Sequence, residues 1–507
     1  MTDNPVVELA LDTLRMGKQA LVFVHSKASA EKTAEEIAHA IKKTKRAKTI
    51  ELAKQCLSAL EKPTKQCERL AASLDYGIAF HHAGLPAKQR GLVEDEFRKG
   101  AVKIICCTPT LAIGINLPSF RALIRDVKRY TLSGMDWIPQ LEYEQMAGRC
   151  GRPDFHDTHG EAIVLVSGDR MKDDVFKRYI SGKPEEIYSK LAVEPVLRTY
   201  ILSLIATHFF TTKQQLYVFF EKSFWAYQYK DMPRLRQQLD KMLLYLLQWG
   251  FLEQSNGSCN GFLSALSHGQ EEYHATLLGK RVAELYLDPL TAFYLVQGLR
   301  ISSHKTITAF SLLHLISTTL EMRPYLSVGV HEAEKLQEML LLHCDELLRE
   351  EEEEDFLGWV KTALFFHDWV HEANEDTLYE TYHIRPGEIH IKLERADWLL
   401  FALGELAKVI SLQHMQKQIA LLRTQLIYGV KEELLPMIRF AGIGKIRARL
   451  LYTHGIRDAE HVKKIAYSRL SALVGQMLAK SLKQQVGIIV EEHREEKTTL
   501  QHWSSAK

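Results

Sequence analysis

ALVFVH, residues 20–25, is a short apolar run, and residues 28–43 after it space their apolar side chains as an amphipathic helix does. A short apolar strand followed by a covering helix is the repeating unit of a parallel α/β sheet. The same alternation continues outward from this pair. VKIICC (102–107), ALIRD (122–126) and EAIVLV (161–166) are predicted as further strands. Between the first two strands lies a helical insert with the basic run Lys42, Lys43, Lys45, Arg46 and Lys48, read as a solvated helix face.

Beyond Lys172 the strand signal nearly vanishes, and apolar residues at helical spacing take over as far as Gln485. Residues 191–251 read as several helices ending at Gly250, and 251–273 as short Gly- and Ser-rich extended pieces. Three helices followed by a small hairpin is the plan of a winged helix. Residues 278–428 read as a helical bundle interrupted by the acidic run 350–355, which reads as a solvated loop or helix end. The last 22 residues, 486–507, are polar and charged with a lone Trp503, as expected of a loose tail.

At 507 residues and 46% hydrophobic composition the chain can bury several cores. Its 65 basic and 63 acidic residues nearly cancel, so any nucleic-acid surface must be local. Seven cysteines without a C-x-x-C pair argue against a disulfide framework and a zinc site, and no metal ligands are predicted. No run approaches the roughly 18 to 20 apolar residues that span a bilayer, and the N-terminus lacks a signal pattern. A soluble, cytoplasmic protein without a membrane partner is expected.

EQMAGRCGRP, residues 144–153, carries Arg149 and Arg152 three apart among glycines, preceded by Gln145. Guanidinium groups placed together on one side of a helix start suit oxyanions, and phosphoryl transfer needs such charge. Locally, the pair could equally hold structural carboxylates. Three further blocks accompany it: FVHSK (23–27), HHAGL (81–85) and CTPTLAIGINLP (107–118).

In this order the four blocks resemble the motifs of the second RecA-like domain of superfamily 2 helicases. The resemblance is to the Ski-like branch, and within it to archaeal DNA-repair helicases related to the polymerase-theta-type helicase. It continues through LGKRVAELYLDPLTA (278–292), LHLISTTLEMRP (313–324), RADWLLFALGELAK (395–408) and IGKIRARLLYTHGI (443–456), and so covers nearly the whole chain. The fold class it implies is multidomain, α/β plus α. The expected parts are a second RecA-like domain (1–178), a winged helix (179–280), a helical ratchet bundle (281–430), a helix-hairpin-helix domain (431–485) and the tail (486–507).

The resemblance implies ATP with Mg2+ as cofactors. Gln145, Arg149 and Arg152 would face the nucleotide, with Arg152 as the arginine finger and Arg149 beside it on the γ-phosphate. Gly114 and Asn116 would couple nucleotide to nucleic acid at the domain cleft. Thr108 would bond a DNA phosphate, and Ser26, His82 and Gly84 would lie on the nucleic-acid path. Cys150 stands where many relatives have alanine, a small change.

KRYTLSGMDWIPQ, residues 128–140, has turn residues Ser133 and Gly134 between extended flanks and looks like the family's strand-separating hairpin. Met135 and Trp137 are its candidates for stacking on unpaired bases; the alternative is a loop packed on its own domain. Arg395 and Trp398 share a helix face and match the ratchet helix, as cation and stacking platform. Trp398 could otherwise be core, and Ile391 stands where the family usually has a basic residue. Residues 436–485 hold ten basic side chains and two acidic ones. Within them AGIGK (441–445) looks like a helix-hairpin-helix turn, whose Gly442, Gly444, Lys445 and Arg447 would grip DNA backbone without reading sequence.

The sequence contains no G-x-x-x-x-G-K-[ST] phosphate loop and no acidic Mg2+ box. The first expectation is therefore half of a 3′ to 5′ DNA helicase acting on forked or single-stranded DNA, inactive alone and working with a separately encoded first RecA-like domain, as a monomer or heterodimer. The alternatives are a non-catalytic DNA-binding or regulatory module and an RNA helicase of the same branch.

Overall fold

The computed structural model describes residues 4–42, 50–60, 63–113, 115–131, 134–151, 157–255, 271–301, 305, 307–349 and 354–488. Arg152, Gly114, Ser133, most of the basic run after Lys42, most of the acidic run and nearly all of the tail lie outside them. The chain divides into two compact units. One comprises residues 1–293, 320–322 and 374–395, the other 294–319, 323–373 and 396–507. This division is coarser than the five parts expected from sequence.

The first unit contains strands β1 (Ala20–Phe23), β2 (Ile78–His81), β3 (Ile104–Cys107), β4 (Arg121–Ile124), β5 (Lys128–Thr131), β6 (Gly134–Trp137) and β7 (Glu161–Val164). Five of them form one parallel sheet in the order β2-β3-β1-β4-β7. Every residue of β1 to β4 is buried, as the continuous apolar runs require of strands covered on both faces. The strand missed in sequence is β2, IAFH, whose end forms the start of the HHAGL block.

Gln19 and Arg121, buried in this core, are paired. The Gln19 amide donates to the carbonyls of Phe97 and Val102, both at 2.7 Å. Arg121, at the head of β4, bonds Glu161 on neighbouring β7 at 2.7 Å, Asp12 at 3.1 Å and Thr13 at 2.8 Å. The sheet edge and the N-terminal helix Pro5–Arg15 are thus tied together. β5 and β6 form a separate antiparallel hairpin.

Next in the same unit come helices Glu194–Ala206, Lys213–Glu221, Phe224–Tyr229 and Met232–Gln248, then an antiparallel pair, β8 (Leu252–Ser255) with β9 (Glu272–Ala275). Thr212 and Gln215 form a reciprocal capping box on the second helix. Four helices, rather than the three expected, precede this two-stranded pair. Buried Arg198 grips Asp288 with two bonds, at 2.6 and 2.8 Å.

The second unit is helical. Ala309–Ser317 and Phe356–Val370 pack side by side, and Gln413–Tyr428 meets the latter. A separate core built on Leu434, Met437, Ala448, Leu451, Val462, Leu470 and Leu482 holds the short helices of residues 435–485.

Candidate nucleic-acid interface

A cavity of about 570 Å3 opens at the C-terminal ends of β1 and β3, lined by His25, Ser26, Lys27, Thr108, Thr110, Arg129 and Arg385 among others. In open parallel sheets this is the edge at which ligands bind, because the connecting loops there expose backbone and side-chain donors. Ser26 terminates β1 and accepts the N–H of Ser29 at 3.1 Å, so its hydroxyl caps helix Lys27–Lys42. Thr108 follows β3, half-exposed, its hydroxyl 3.0 Å from that of Thr110.

The cations of the groove are paired. Lys27 meets Glu388, Arg129 meets Glu142 at 2.8 and 3.0 Å, and Arg385 meets Glu31 at 3.2 Å. Beneath them His25 is held by Asp126 at 2.8 Å. Burial pushes the Asp126 carboxyl up, but bonds from Arg125 and His25 outweigh it, so its pKa lies below the usual value.

HHAGL has a different role from the one its position in the sequence suggested. His82 is fully buried, Nε2 3.2 Å from the Glu31 carboxylate, and its Nδ1 accepts the N–H of Gly84 at 3.1 Å. Gly84 is buried against Arg385: a Cβ there would lie 2.6 Å from Arg385 Cδ. Both residues are buried and support the turn. Glu31 is the hub, also bonded by Gln66 at 2.8 Å and Arg69 at 2.6 Å. Burial raises its pKa, but His82, Gln66, Arg385 and Arg69 together bring it down to about 2. No sequence signal marked Glu31, because Arg385 lies 354 positions away.

The described part of the GRCGR segment, residues 148–151, follows a helix. Helix Gln140–Ala147 ends before it, with the Gly148 N–H closing on the carbonyl of Glu144 at 2.7 Å. Gly151, at φ +94°, turns the chain after the helix so that it runs beside Ser119, which exchanges backbone bonds with Arg149 and Gly151, both at 2.8 Å. Arg149 is half-buried and donates Nε to the carbonyl of Ala112 at 3.1 Å, so it holds a main-chain oxygen of its own domain rather than a carboxylate. Gln145 is half-buried and Asn116 exposed.

On the hairpin Lys128 stands opposite Trp137, and Tyr130 opposite Met135. Met135 is exposed next to the turn. Trp137 is half-buried at the base, with Lys128 Nζ 4.2 Å from the ring centre and Arg178 5.2 Å away. Trp137 is thus engaged by cations of its own domain, and Met135 is the candidate nearer the tip.

Helix Pro386–Val409 carries Arg395 and Trp398. Arg395 reaches the carbonyl of Glu321 at 3.4 Å, and Trp398 is half-buried, outside the fully buried core. Ile391 is 36% exposed. Neighbouring Lys392 is buried and donates to the Met322 carbonyl at 3.0 Å; burial, then Arg395, lowers its pKa to about 8.

In residues 441–445 Gly442 takes φ +86°, and Gly444 leads helix Lys445–Thr453 without a side-chain cap. Lys445 points away from a phosphate role: its ammonium donates to the Ala373 carbonyl at 2.8 Å over the Trp369 ring. Arg449 is held by Glu372 and Glu433, and Lys483 by the carbonyls of Lys463 and Ile465. Part of the basic excess therefore makes bonds within the chain. Gly442 and Arg447 remain exposed, Arg447 bonding the Gly442 carbonyl at 3.0 Å.

A five-stranded parallel sheet, a β-hairpin and many helices are consistent with the C-terminal region of a helicase. Residues 34–154 match the model of the helicase conserved C-terminal domain, and 310–429 that of the archaeal helicase, domain 4. The chain is 38% identical over 477 residues to an ATP-dependent DNA helicase Hel308 of Pyrococcus horikoshii, covering 93% of this chain and 64% of the relative. It is 35% identical over 503 residues to that of Methanocella arvoryzae (96% and 65%) and 33% over 517 residues to that of Methanococcus vannielii (96% and 68%). The chain belongs to the Hel308 family of archaeal, Ski2-like superfamily 2 helicases. It spans about two thirds of the length of these relatives.

Proposed function

We propose that this chain is the rear part of an ATP-dependent DNA helicase, moving 3′ to 5′ on forked or single-stranded DNA in repair. The observation that carries the reading is the groove at the ends of β1 and β3, where Thr108 and Thr110 offer hydroxyls beside Lys27, Arg129 and Arg385, each of them ion-paired to a carboxylate that a phosphate would have to replace. Phosphate contacts of this kind position a strand without reading its bases. The relatives' name, ATP-dependent DNA helicase, supports DNA as the polymer and ATP as the fuel.

Arg149 bonds Ala112 in the segment that also carries Thr108 and Asn116, so a nucleotide-facing arginine and a DNA-facing threonine would share one hydrogen-bonded unit. Arg152 would be the finger. Hydrolysis also needs a phosphate loop, which these 507 residues do not contain; a first RecA-like domain, on the same or another polypeptide, would supply it. Among the described residues no three His, Cys, Asp or Glu side chains converge as a metal site. Mg2+ would be held chiefly with the nucleotide on that first domain.

Competition between forked DNA and RNA of matching sequence tests the polymer. DNA should win, with affinity falling steeply as salt rises because bound phosphates release counterions. Preference for RNA, or a flat salt response, would contradict the reading.

A further inference from the structure

The hairpin has two faces that differ in what surrounds them. Successive strand residues point to opposite sides, so Arg129 projects from one face and Lys128, with its cross-strand partner Trp137, from the other. Arg129 lines the groove of Ser26 and Thr108. The Lys128–Trp137 face instead lies against residues 169–180, whose last turn, Phe176–Ile180, is a π-helix. Such turns are rare and collect at functional sites. Tyr179 pins this one: its hydroxyl donates to the Ile138 carbonyl at 2.7 Å, and its ring stacks on Tyr143 at 4.7 Å.

The wide turn leaves Lys177 and Arg178 exposed beside a hollow of about 330 Å3 lined by Trp137, Asp174, Lys177 and Arg178. Lys128 sits over the same indole. Among the described residues none of these three cations has a carboxylate within ion-pair distance, whereas Arg129 on the opposite face is paired with Glu142. The acidic groups nearby are Asp174, Asp136 and Glu185, and Glu185 already accepts the backbone N–H of Gln140. With two cations within about 5 Å of its ring, Trp137 offers little free face to a base. The unpaired charges suit oxyanions instead.

We propose that Lys128, Lys177 and Arg178 hold the phosphodiester backbone of the displaced strand at a DNA fork, while the groove on the Arg129 side holds the other strand. The hairpin would then part the two strands and keep each on its own face. This rests on the reading of the chain as a fork-binding helicase part.

The test compares two labelled DNAs bound by the purified chain without nucleotide. One is a duplex with two single-stranded arms, the other the same duplex with only its 3′ arm. The unaltered chain should bind the two-armed fork several-fold more tightly. Lys177→Gln with Arg178→Gln, both at exposed positions, should abolish that difference, leave binding of the one-armed DNA unchanged, and reduce the fork's salt dependence by about 1 per lost phosphate contact. Equal binding of both DNAs by the unaltered chain, or a difference that survives the double substitution, overturns the proposal. Failure of the unaltered chain to bind any DNA would instead refute the underlying helicase reading.

Discussion

The backbone N–H of Gly387 donates to the carbonyl of Gly84 at 3.0 Å, joining the first turn of helix Pro386–Val409 to the HHAGL turn after β2. The fit leaves no room for a side chain. A Cβ on Gly387 would lie 2.3 Å from the Ala83 carbonyl oxygen and 2.5 Å from that of Leu85. Gly387→Ala should therefore destabilise the protein by about 1–3 kcal/mol through backbone displacement. Gly404→Ala, on the same helix, would meet only Ile419 Cγ2 at 3.5 Å and should be neutral or stabilise by up to about 1 kcal/mol, since alanine favours helix. Thermal unfolding of the two variants checks the contrast.

Glu31 secures the same joint from below, between His82, Gln66, Arg69 and Arg385. Glu31→Ala should cost about 1–3 kcal/mol, because it leaves buried His82 and the partly buried Arg385 without their shared acceptor. Its folded pKa of about 2 is below the ordinary 4.5, so the unfolded chain binds the proton more readily. The stabilisation is complete above pH 4.5 and declines as pH falls toward 2. Denaturant titrations across that window should show it, and the loss should be absent in Glu31→Ala.

His314 in the helical unit is fully buried, neither ring nitrogen having a hydrogen-bond partner among the described residues, and burial, then Arg349, lowers its pKa to about 4. His367 is lowered to about 4 as well, by burial and then by His371. Both must be neutral in the folded state, so stability is present above pH 6.5 and lost as pH falls toward 4. For His314 the full effect is on the order of 3 kcal/mol. His314→Leu should flatten the acid limb of the stability profile; an unchanged limb would show that this histidine is not its source.

Thr108→Ala and Ser26→Ala separate binding from folding. Removing the Thr108 hydroxyl should weaken DNA binding by about 1 kcal/mol with little change in melting temperature. Ser26→Ala also removes a helix cap and should lower stability by about 0.5–2 kcal/mol. Binding isotherms and thermal melts on both variants distinguish the two effects.

Much of the α/β core was legible because buried parallel strands must be apolar throughout: ALVF and IICC can scarcely be read otherwise. The hairpin was legible from its turn residues, and the helices before Gly250 from their apolar spacing. β2 was missed because IAFH is four residues long and runs into two histidines that looked like site residues. What sequence could not show is where flexible side chains end. Lys445 bonds a carbonyl 72 positions away, Arg149 one 37 away, and Arg385 a carboxylate 354 away. Local patterns report residue type and spacing, whereas these assignments depend on chain segments brought together only by the fold.

The most direct test is ATP hydrolysis by this chain mixed with a first RecA-like domain that carries a phosphate loop and acidic box. The account predicts negligible turnover by the chain alone, DNA-stimulated turnover by the mixture, and its loss in Arg152→Ala. A mixture that binds DNA yet never hydrolyses ATP, or one whose turnover is untouched by Arg152→Ala, would contradict it.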